Sequence, residues 1–444
     1  MATHKKATFR LGSLSQGSGK PVIVDGARSP FVRSFGVFAD TDSLELFSRT
    51  VSGCLRRVDM DVSEIDEIIA GSVIPQIKNP NVARDTILEL GLPSHIHGFT
   101  LNQACASSLQ SIMLAAKTIA YGHPHIVLAG GVESLSQVPI SYSAGARKTL
   151  VALSRAKNIA MKWRALRAVK LHHWIPSPPP LAEPLTGLTM GQHGEIMAQK
   201  NDISRKDQDS FALASHNKAY EAQKNGIFDR EIIPIWPSPR YSDALKKDNI
   251  IRADSSLEKL ARLPSAFSRP FGTLTAGNSS PLTDGASVTL VADEKRAKAL
   301  GLKPLAEIVD MECVGCDPHD QLLIGPALAI PRLLKRHRLK VSDIQRFEIH
   351  EAFAAQVLSC LRAMDSPKFF EKYFGESKAL GRIDDDRINV NGGAIAIGHP
   401  FGASGSRLVN SLVFEMQRHQ LEYGMVAMCA AGGMAGCLLL KNIS

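Results

Sequence analysis

The sequence predicts an α/β protein in which a mostly parallel sheet is covered by helices. Short apolar runs alternate with longer amphipathic segments before residue 140, which is the pattern of strands and helices in turn. A strand, a small-residue turn and a helix occur around Cys105 and again around His399, which indicates two similar halves. Residues 141–265 break the alternation and are predicted to be a mostly helical insertion in the first half.

The first half is predicted to span 21–300, after an N-terminal extension at 1–20. Each apolar run in it is bounded by Gly, Pro or Asn and followed by a segment of helical periodicity. These runs predict strands at 21–24, 71–74, 98–101, 125–129 and 287–291. The intervening segments predict helices at 44–57, 83–90 and 106–121, and the insertion adds helices that begin at Met190 and Arg205.

The second half, 301–444, repeats this pattern on a smaller scale. Apolar runs predict strands at 305–309 and 347–350, and a third strand just before Cys429. A helix is predicted at 351–364, and another after the glycine-rich turn that holds His399.

Composition indicates a globular protein from a reducing compartment. Hydrophobic residues make up 44% of the chain and charged residues 21%, and no apolar run is long enough to cross a membrane. The seven cysteines are irregularly spaced, unlike a disulfide framework. The N-terminus lacks the apolar core of a secretory signal. We therefore expect a cytoplasmic protein; a mitochondrial address is the less favoured alternative.

Positive charge is concentrated in the insertion. The net charge is +9, yet no Asp or Glu occurs between Ser134 and Ala182, where eight Lys and Arg residues lie. Ile159, Trp163 and Leu166 would share one face of a helix, so 145–174 is predicted to contact a partner or a membrane surface. The alternative is a solvated helix over the mouth of an active site. No nucleic-acid motif accompanies the charge, so nucleic-acid binding is not expected.

Two cysteines are candidates for chemistry. Cys105 lies at a strand-to-helix junction, where backbone N–H groups would lower the pKa of a thiol from about 8.5 and could hold an oxyanion. Cys429 precedes Gly432 and Gly433, which leave backbone N–H groups accessible. The local context alone does not distinguish either thiol from a buried cysteine that only fills the core.

Two histidines are candidates as well. His399 lies in a glycine-rich turn that lets the backbone approach closely, although the histidine could also be incidental there. His350 follows a predicted strand directly and could donate a hydrogen bond at the sheet edge or simply cap a helix. Cys313 and Cys316 have the spacing of half a zinc site, but no second pair completes it. No metal site is therefore predicted.

Together these segments resemble the thiolase family. The segment around Cys105 and the motifs GGVES, GNSSPLTDGA, HEAFA, GGAIAIGHPFGASGSR and CAAGGMAG follow one another in the thiolase order. The similarity covers nearly the whole chain from Pro21. It is greatest to the 3-ketoacyl-CoA thiolases that form the β subunit of fatty-acid β-oxidation complexes, because His350 stands where many thiolases have Asn.

The resemblance implies a thiolase fold, in which two βαβ-rich halves form five layers in the order αβαβα, and a homodimer. It implies that Cys105 carries an acyl thioester, that His399 accepts protons, and that Cys429 protonates the departing carbanion. His350 and His399 would hold one oxyanion, and the backbone N–H groups of Cys105 and Gly432 the other. Substrate and CoA contacts are expected from Ser280, Met190 and Phe353.

The implied reaction is cleavage of 3-ketoacyl-CoA by coenzyme A, which acts as a co-substrate, with no bound cofactor. The implied partner is the α subunit that carries enoyl-CoA hydratase and 3-hydroxyacyl-CoA dehydrogenase activities. The alternatives are a biosynthetic thiolase that condenses acetyl-CoA and a non-catalytic lipid- or partner-binding protein. A 3-ketoacyl-ACP synthase is disfavoured, because it needs an HGTGT-like segment in place of HEAFA and lacks the second cysteine.

Overall fold

The computed structural model describes residues 19–167, 170–176 and 182–444. The predicted extension, 1–20, therefore lies outside the described residues except for its last two. The described residues contain these strands: β1 Pro21–Arg28, β2 Val32–Arg33, β3 Glu67–Gly71, β4 His97–Leu101, β5 Ile126–Glu133, β6 Thr283–Asp293, β7 Ala306–Gly315, β8 Arg346–Ile349, β9 Tyr423–Ala430 and β10 Met434–Asn442.

The helices follow the predicted order, with additional short ones. They are α1 Ser43–Leu55, α2 Val82–Glu89, α3 Ser107–Ala120, α4 Ala144–Arg155, α5 Ile159–Arg167, α6 Met190–Lys200, α7 Arg205–Lys224, α8 Leu257–Ala261, α9 Glu294–Ala299, α10 Pro318–Gln321, α11 Pro326–His337, α12 Ala354–Met364, α13 Pro367–Phe374, α14 Ala394–Ile397 and α15 Ser404–His419. Within the described ranges, none of these helices combines the length and apolarity that a bilayer crossing requires.

One sheet runs through both halves in the order β4-β3-β5-β6-β1-β7-β10-β9-β8, with β2 beside β6. The first half supplies β1 to β6 and the second half β7 to β10, and the halves join along the short β1–β7 pairing. The prediction of a mostly parallel sheet is wrong. Among the described strands, three pairs are parallel: β3–β4, β3–β5 and β8–β9. Strands β1, β6, β7 and β10 run antiparallel to all their neighbours.

The parts of this sheet that belong to the two halves lie on either side of central helices, so the helices and strands form five layers in the order αβαβα. Helices α3 and α15 pack against each other, and each also packs against strands of both halves, so they form the central layer. Helices α1 and α2 cover the outer face of the first half. Helices α11 and α12 cover the outer face of the second half. The strand-to-helix junctions of the two halves therefore meet in the middle of the molecule.

Local chemistry explains where several helices begin. The Asp42 side chain accepts from the Glu45 N–H at the start of α1. Thr189 and Gln192 form a reciprocal capping box at α6, and Ser204 and Asp207 form another at α7. These caps fix the first turns of the two long helices of the insertion.

The predicted strand at 71–74 is misplaced. The strand is β3, Glu67–Gly71, and the chain leaves the sheet after Gly71. The N–H groups of Val73 and Ile74 donate to the buried Glu133 carboxylate, each at 3.0 Å, instead of to a neighbouring strand. The apolar run at 71–74 therefore belongs to a loop that a buried carboxylate holds in place.

Helices α4 to α8 lie between β5 and β6, the part of the chain that includes 141–265. The basic segment 145–174 forms two helices, α4 and α5, separated at residues 156–158. Residues 168–169 lie outside the described residues. Ile159, Trp163 and Leu166 are exposed on α5, and no described side chain of this helix is buried.

Candidate active site

His350 directly follows β8, and Cys429 lies near the carboxyl end of β9, the strand that pairs with β8 in parallel. Ile349 of β8 is in register with Ala427 of β9, and the His350 N–H donates to the Ala427 carbonyl oxygen at 2.9 Å. Both His350 and Cys429 are buried. The carboxyl ends of parallel strands form a natural crevice for ligands, and these two side chains belong to that edge.

Cys105 lies in the turn between β4 and α3. Ala104 just before it has a φ of 48°, which is uncommon for a residue with a Cβ and indicates a strained turn. The Asn102 side chain accepts from the Ala104 N–H at 2.9 Å, and the Ser107 hydroxyl donates to the Ala104 carbonyl oxygen at 2.6 Å. These bonds hold the turn, so the half-buried Cys105 thiol has a fixed position.

The prediction that the helix N-terminus lowers the pKa of Cys105 is wrong. Burial raises the pKa of this thiol to about 11, and this effect outweighs the lowering by the backbone N–H groups of Ala431 and of Cys105 itself. The Cys105 thiol is therefore neutral near pH 7. The same contacts place the Ala431 N–H, from the turn that follows Cys429, within hydrogen-bond reach of Cys105 Sγ.

His399 is held in one tautomer by its own turn. The Ser404 hydroxyl donates to the Pro400 carbonyl oxygen at 3.0 Å, so its oxygen can only accept from His399 Nδ1, which lies 2.6 Å away. Nε2 is then the unprotonated nitrogen and, within the described residues, has no hydrogen-bond partner. Gly398 has a φ of 109°, and a Cβ there would lie 2.7 Å from Thr283, so this turn requires glycine.

The two histidine rings form a neutral pair. Their centroids are 4.2 Å apart, and the described part of the chain offers no hydrogen-bond partner to either ring nitrogen of His350. Burial and, to a smaller extent, Arg407 lower the pKa of His399 to about 3. Burial, His399 and Arg407 hold the pKa of His350 well below its usual range. Unpartnered buried nitrogens of this kind are suited to donate to, or accept from, a substrate.

The second thiol is also neutral. Burial raises the pKa of Cys429 well above its ordinary value, and the nearby Cys105 contributes in the same direction. A neutral thiol can donate a proton to a carbanion, and the resulting thiolate can take one back. The structure thus brings Cys105 and Cys429 together, and His350 and His399 together, where the two halves meet.

Buried carboxylates anchor the loops that carry these groups. Glu133 accepts from the N–H groups of Val73, Ile74 and Gly402, and its pKa is raised to about 7 by burial. Glu351 accepts from the side chains of Ser215 and Asn389, each at 2.7 Å. Ser404, Glu133 and Glu351 were not predicted as site residues, although all three lie inside the quoted motifs.

Comparisons with known proteins agree with this arrangement. The family model described as "Thiolase, N-terminal domain" matches residues 21–295, and "Thiolase, C-terminal domain" matches residues 302–442. The chain belongs to the thiolase family.

Relatives within the thiolase family cover nearly the whole chain. A probable 3-ketoacyl-CoA thiolase of Caenorhabditis elegans is 40% identical over 95% of this chain and 93% of that protein. The mitochondrial trifunctional enzyme subunit beta of Bos taurus is 40% identical over 95% of this chain and 88% of that protein. The crystal structure of human mitochondrial 3-ketoacyl-CoA thiolase in complex with CoA superposes with a TM-score of 0.81 at 29% identity, covering 97% and 99% of the two chains. The predicted thiolase fold is confirmed.

One predicted oxyanion donor of the thiolase site needs correction. The Gly432 N–H donates to Glu183 Oε2 at 2.9 Å, so it is already engaged. The N–H that points at Cys105 Sγ belongs to Ala431. The sequence pointed to Gly432 because glycine leaves its N–H accessible, but in the folded turn the preceding N–H lies beside the Cys105 thiol. The two backbone N–H groups at this thiol are therefore those of Cys105 and Ala431.

The predicted substrate-contacting residues lie near the HEAFA motif. The Ser280 N–H and hydroxyl both donate to the Ala352 carbonyl oxygen at 3.0 Å. Phe353 packs edge-on against Phe267, with ring centroids 5.7 Å apart. Met190, at the start of α6, packs against the same hydrophobic cluster that contains Phe353 and Cys429. Among the described residues, no group of His, Cys, Asp or Glu side chains is arranged to hold a metal ion.

Proposed function

We propose that this protein cleaves 3-ketoacyl-CoA with coenzyme A, giving acetyl-CoA and a shortened acyl-CoA, as the last step of fatty-acid β-oxidation. One observation carries the proposal: the Cys105 thiol faces two backbone N–H groups, one of which comes from the turn after the second thiol, Cys429. This observation supports a site in which a nucleophile, an oxyanion site and a carbon acid act together. The names of the Caenorhabditis elegans relative and of the human protein of similar structure support the same activity.

In the first half-reaction, Cys105 Sγ attacks the 3-keto carbon and its proton passes to His399 Nε2. Negative charge develops on the ketone oxygen, which the N–H groups of Cys105 and Ala431 stabilise. The bond between C2 and C3 then breaks. The thioester oxygen of the departing enolate accepts hydrogen bonds at His350 and His399, and the Cys429 thiol protonates C2 to release acetyl-CoA.

In the second half-reaction, His399 passes the proton that it took from Cys105 to the Cys429 thiolate. His399 then accepts the proton of the CoA thiol. The CoA sulfur attacks the acyl thioester on Cys105, again with the oxyanion between the two backbone N–H groups. The bond from the acyl carbon to Cys105 breaks, and His399 returns its proton to the thiolate. All groups are restored to the neutral resting state.

A cavity next to His399 is suited to coenzyme A. It has a volume of about 290 Å³ and is lined by Arg33, Arg252 and Lys259, whose charges favour phosphate groups, and by Asp254, which pairs with Lys259 at 2.6 Å and leaves an excess of positive charge. Pro281 also lines it, and the Pro281 carbonyl oxygen accepts the His399 N–H at 3.3 Å. CoA held here would have its phosphates near the cations and its thiol near the catalytic histidine.

The test of this function is the rate of thiolysis by free CoA for 3-ketoacyl-CoAs of increasing chain length, from C4 to C16. We expect acetyl-CoA and the shortened acyl-CoA in equal amounts for at least part of this series. The proposal fails if no member of the series is cleaved while the protein is folded. A protein that only condenses acetyl-CoA would favour the shortest substrate alone, which distinguishes the biosynthetic alternative.

The pH dependence of acyl-enzyme formation is a further prediction. Because the pKa of His399 is lowered to about 3, the neutral base form persists through mild acid. The single-turnover rate should therefore stay flat from about pH 8 to about pH 5, with no loss near the ordinary histidine pKa of about 6.5. Rapid-quench measurement checks this, with circular dichroism as a control for folding. A half-loss of the rate near pH 6.5 would contradict the neutral histidine pair.

We also propose a homodimer in a reducing, cytoplasmic setting. Three neighbouring loops carry exposed apolar side chains, namely Phe35, Ile77 and Ile140. The Phe35 N–H donates to Ser136 Oγ at 2.6 Å, on the loop that also carries Ile140. Lys78, next to Ile77, pairs with Asp42, which follows the loop of Phe35. Such patches commonly mark association surfaces. All seven cysteines are free thiols, which fits a reducing compartment. Native mass spectrometry at micromolar concentration would report the dimer.

The exposed helices α4 and α5 are proposed to contact an α subunit with hydratase and dehydrogenase activities. Ile159 is 72% exposed and Trp163 64% exposed on α5, and basic side chains surround them. A basic surface with an apolar stripe can dock on an acidic protein, and it can also lie on an anionic membrane. The relative from Bos taurus is named as a beta subunit, which supports a partner subunit.

Replacing Arg155, Lys157, Arg164 and Arg167 together by Gln should abolish this association. We expect co-purification with the α subunit and binding to anionic vesicles to fall by about 10³-fold, below detection, because about 1 kcal/mol is lost for each of the four charges near a charged surface. Thiolysis of a short 3-ketoacyl-CoA should not change. If association is unchanged and thiolysis is lost instead, these helices serve the active site.

A further inference from the structure

The turn between β9 and β10 is held by a carboxylate from the insertion. Glu183 Oε2 accepts the Gly432 N–H at 2.9 Å, and Glu183 is only 8% exposed. The two residues are 249 positions apart in the chain. Glu183 belongs to none of the motifs that carry the thiolase resemblance, and the mechanism above gives it no role.

The loop that carries Glu183 is closed on itself and joined to α6. The Glu183 N–H donates to the Leu188 carbonyl oxygen, and the Gly187 N–H donates to the Glu183 carbonyl oxygen, both at 2.8 Å. The Thr186 hydroxyl lies 2.8 Å from Nε2 of the buried His193, a residue of α6. A side chain on such a loop has a defined position, so its carboxylate is a fixed support for the turn.

A second contact holds the opposite end of the turn. The Cys316 N–H donates to the Gly433 carbonyl oxygen at 2.7 Å, and Cys316 Sγ lies 3.1 Å from the same oxygen. Gly432 and Gly433 have φ values of 80° and 68°, and successive glycines allow a turn to change conformation at little cost. The two contacts therefore restrain a turn that its own sequence leaves free to move.

We propose that Glu183 is a positioning residue for acyl transfer. By holding the Gly432 N–H it fixes the turn, and it thereby keeps the preceding Ala431 N–H beside Cys105, where the thioester oxygen would form. Glu183 acts through this turn and does not touch the reacting atoms. The inference rests on the proposed thiolase function, and it assigns to the insertion a part in building the oxyanion site.

The test compares two reactions in the full-length protein. Formation of the acyl-enzyme from a 3-ketoacyl-CoA uses the Ala431 N–H, whereas exchange of the α-protons of acetyl-CoA uses Cys429 with His350 and His399. Loss of one well-placed oxyanion donor costs about 10²-fold or more in rate. We therefore expect Glu183→Ala to slow acyl-enzyme formation by about 10-fold to 10²-fold while proton exchange stays within about twofold of wild type.

Two further variants separate positioning from stability. Glu183→Gln keeps an oxygen that can accept the Gly432 N–H, so it should restore acyl-enzyme formation to nearly the wild-type rate. Glu195→Ala is the matched control: Glu195 is a buried carboxylate of the same insertion that accepts the N–H groups of Thr273 and Leu274 at 2.9 Å. It should lower the melting temperature without changing the ratio of the two rates.

The inference is overturned if the ratio of acyl-enzyme formation to proton exchange is the same in Glu183→Ala as in the wild type. A Glu183→Gln variant as slow as Glu183→Ala, or one faster than wild type, would also overturn it, because charge and not hydrogen bonding would then matter. If the wild-type protein performs neither reaction, the proposed function itself fails and the inference falls with it.

Discussion

Replacing Cys105 by alanine is expected to lower the rate of thiolysis by about 10⁴-fold or more and to abolish the acyl-enzyme. The reason is that the thiol supplies the covalent bond on which both half-reactions depend, and removal of a nucleophile commonly leaves only the contribution of the oxyanion site and binding. Steady-state thiolysis and rapid-quench detection of the acylated protein measure the two effects. CoA binding should persist, because the proposed CoA cavity does not include Cys105.

Cys313→Ala is the matched control for this variant. Cys313 is also a half-buried free thiol, and its sulfur contacts Gln110 and Met113 of α3, the helix that follows Cys105. We expect nearly wild-type thiolysis from this variant. Acyl-enzyme at the wild-type level in Cys105→Ala would show that another group is the nucleophile.

Replacing Cys429 by alanine is expected to separate the two chemical steps. The variant should still accept an acyl group from acyl-CoA on Cys105, since the thiol, His399 and the backbone donors are intact. It should exchange the α-protons of acetyl-CoA about 10²-fold to 10⁴-fold more slowly, because its carbon acid is missing. Acyl-enzyme yield by mass spectrometry and deuterium uptake by acetyl-CoA in D₂O measure the two steps.

Cys437→Ala controls for the loss of a buried thiol. Cys437 is fully buried on β10 and pairs across the sheet with Ala427 of β9, so its removal should cost about 1 kcal/mol of unfolding free energy. Proton exchange should not change in this control. Exchange at the wild-type rate in Cys429→Ala would exclude Cys429 as the carbon acid.

The sequence could indicate the candidate catalytic side chains because they lie in motifs. Cys105, His399, Cys429 and His350 each follow or precede a strand or helix that the apolar pattern defines, and the structure places all four where the halves meet. It could not predict the pKa of Cys105, because this value depends on burial in the folded chain, which outweighs the local backbone N–H groups. No sequence pattern indicated a role for Glu183, because only the folded chain brings its carboxylate to the Gly432 N–H.

The errors in the predicted fold also concern features that only the folded chain determines. Apolar runs identify strands but do not give their direction, so the antiparallel pairings of β1, β6, β7 and β10 could not be derived from the alternation of strands and helices. The apolar run at 71–74 has the composition of a strand, but its N–H groups at Val73 and Ile74 donate to the distant Glu133 carboxylate instead of to a neighbouring strand. The sequence also could not identify Ala431, because the direction of an N–H group in a tight turn depends on backbone angles that composition does not determine.

The account depends on Cys105 as the acyl carrier in the cleavage of a 3-ketoacyl-CoA, and peptide mapping of the protein after a single turnover tests this most directly. The wild-type protein is mixed with a 3-ketoacyl-CoA in the absence of CoA, quenched in acid and digested. The account predicts one shortened acyl group per chain on the peptide that contains Cys105, with an equal amount of acetyl-CoA released. An acyl group on another residue, or acetyl-CoA released without any acylated peptide, would contradict it.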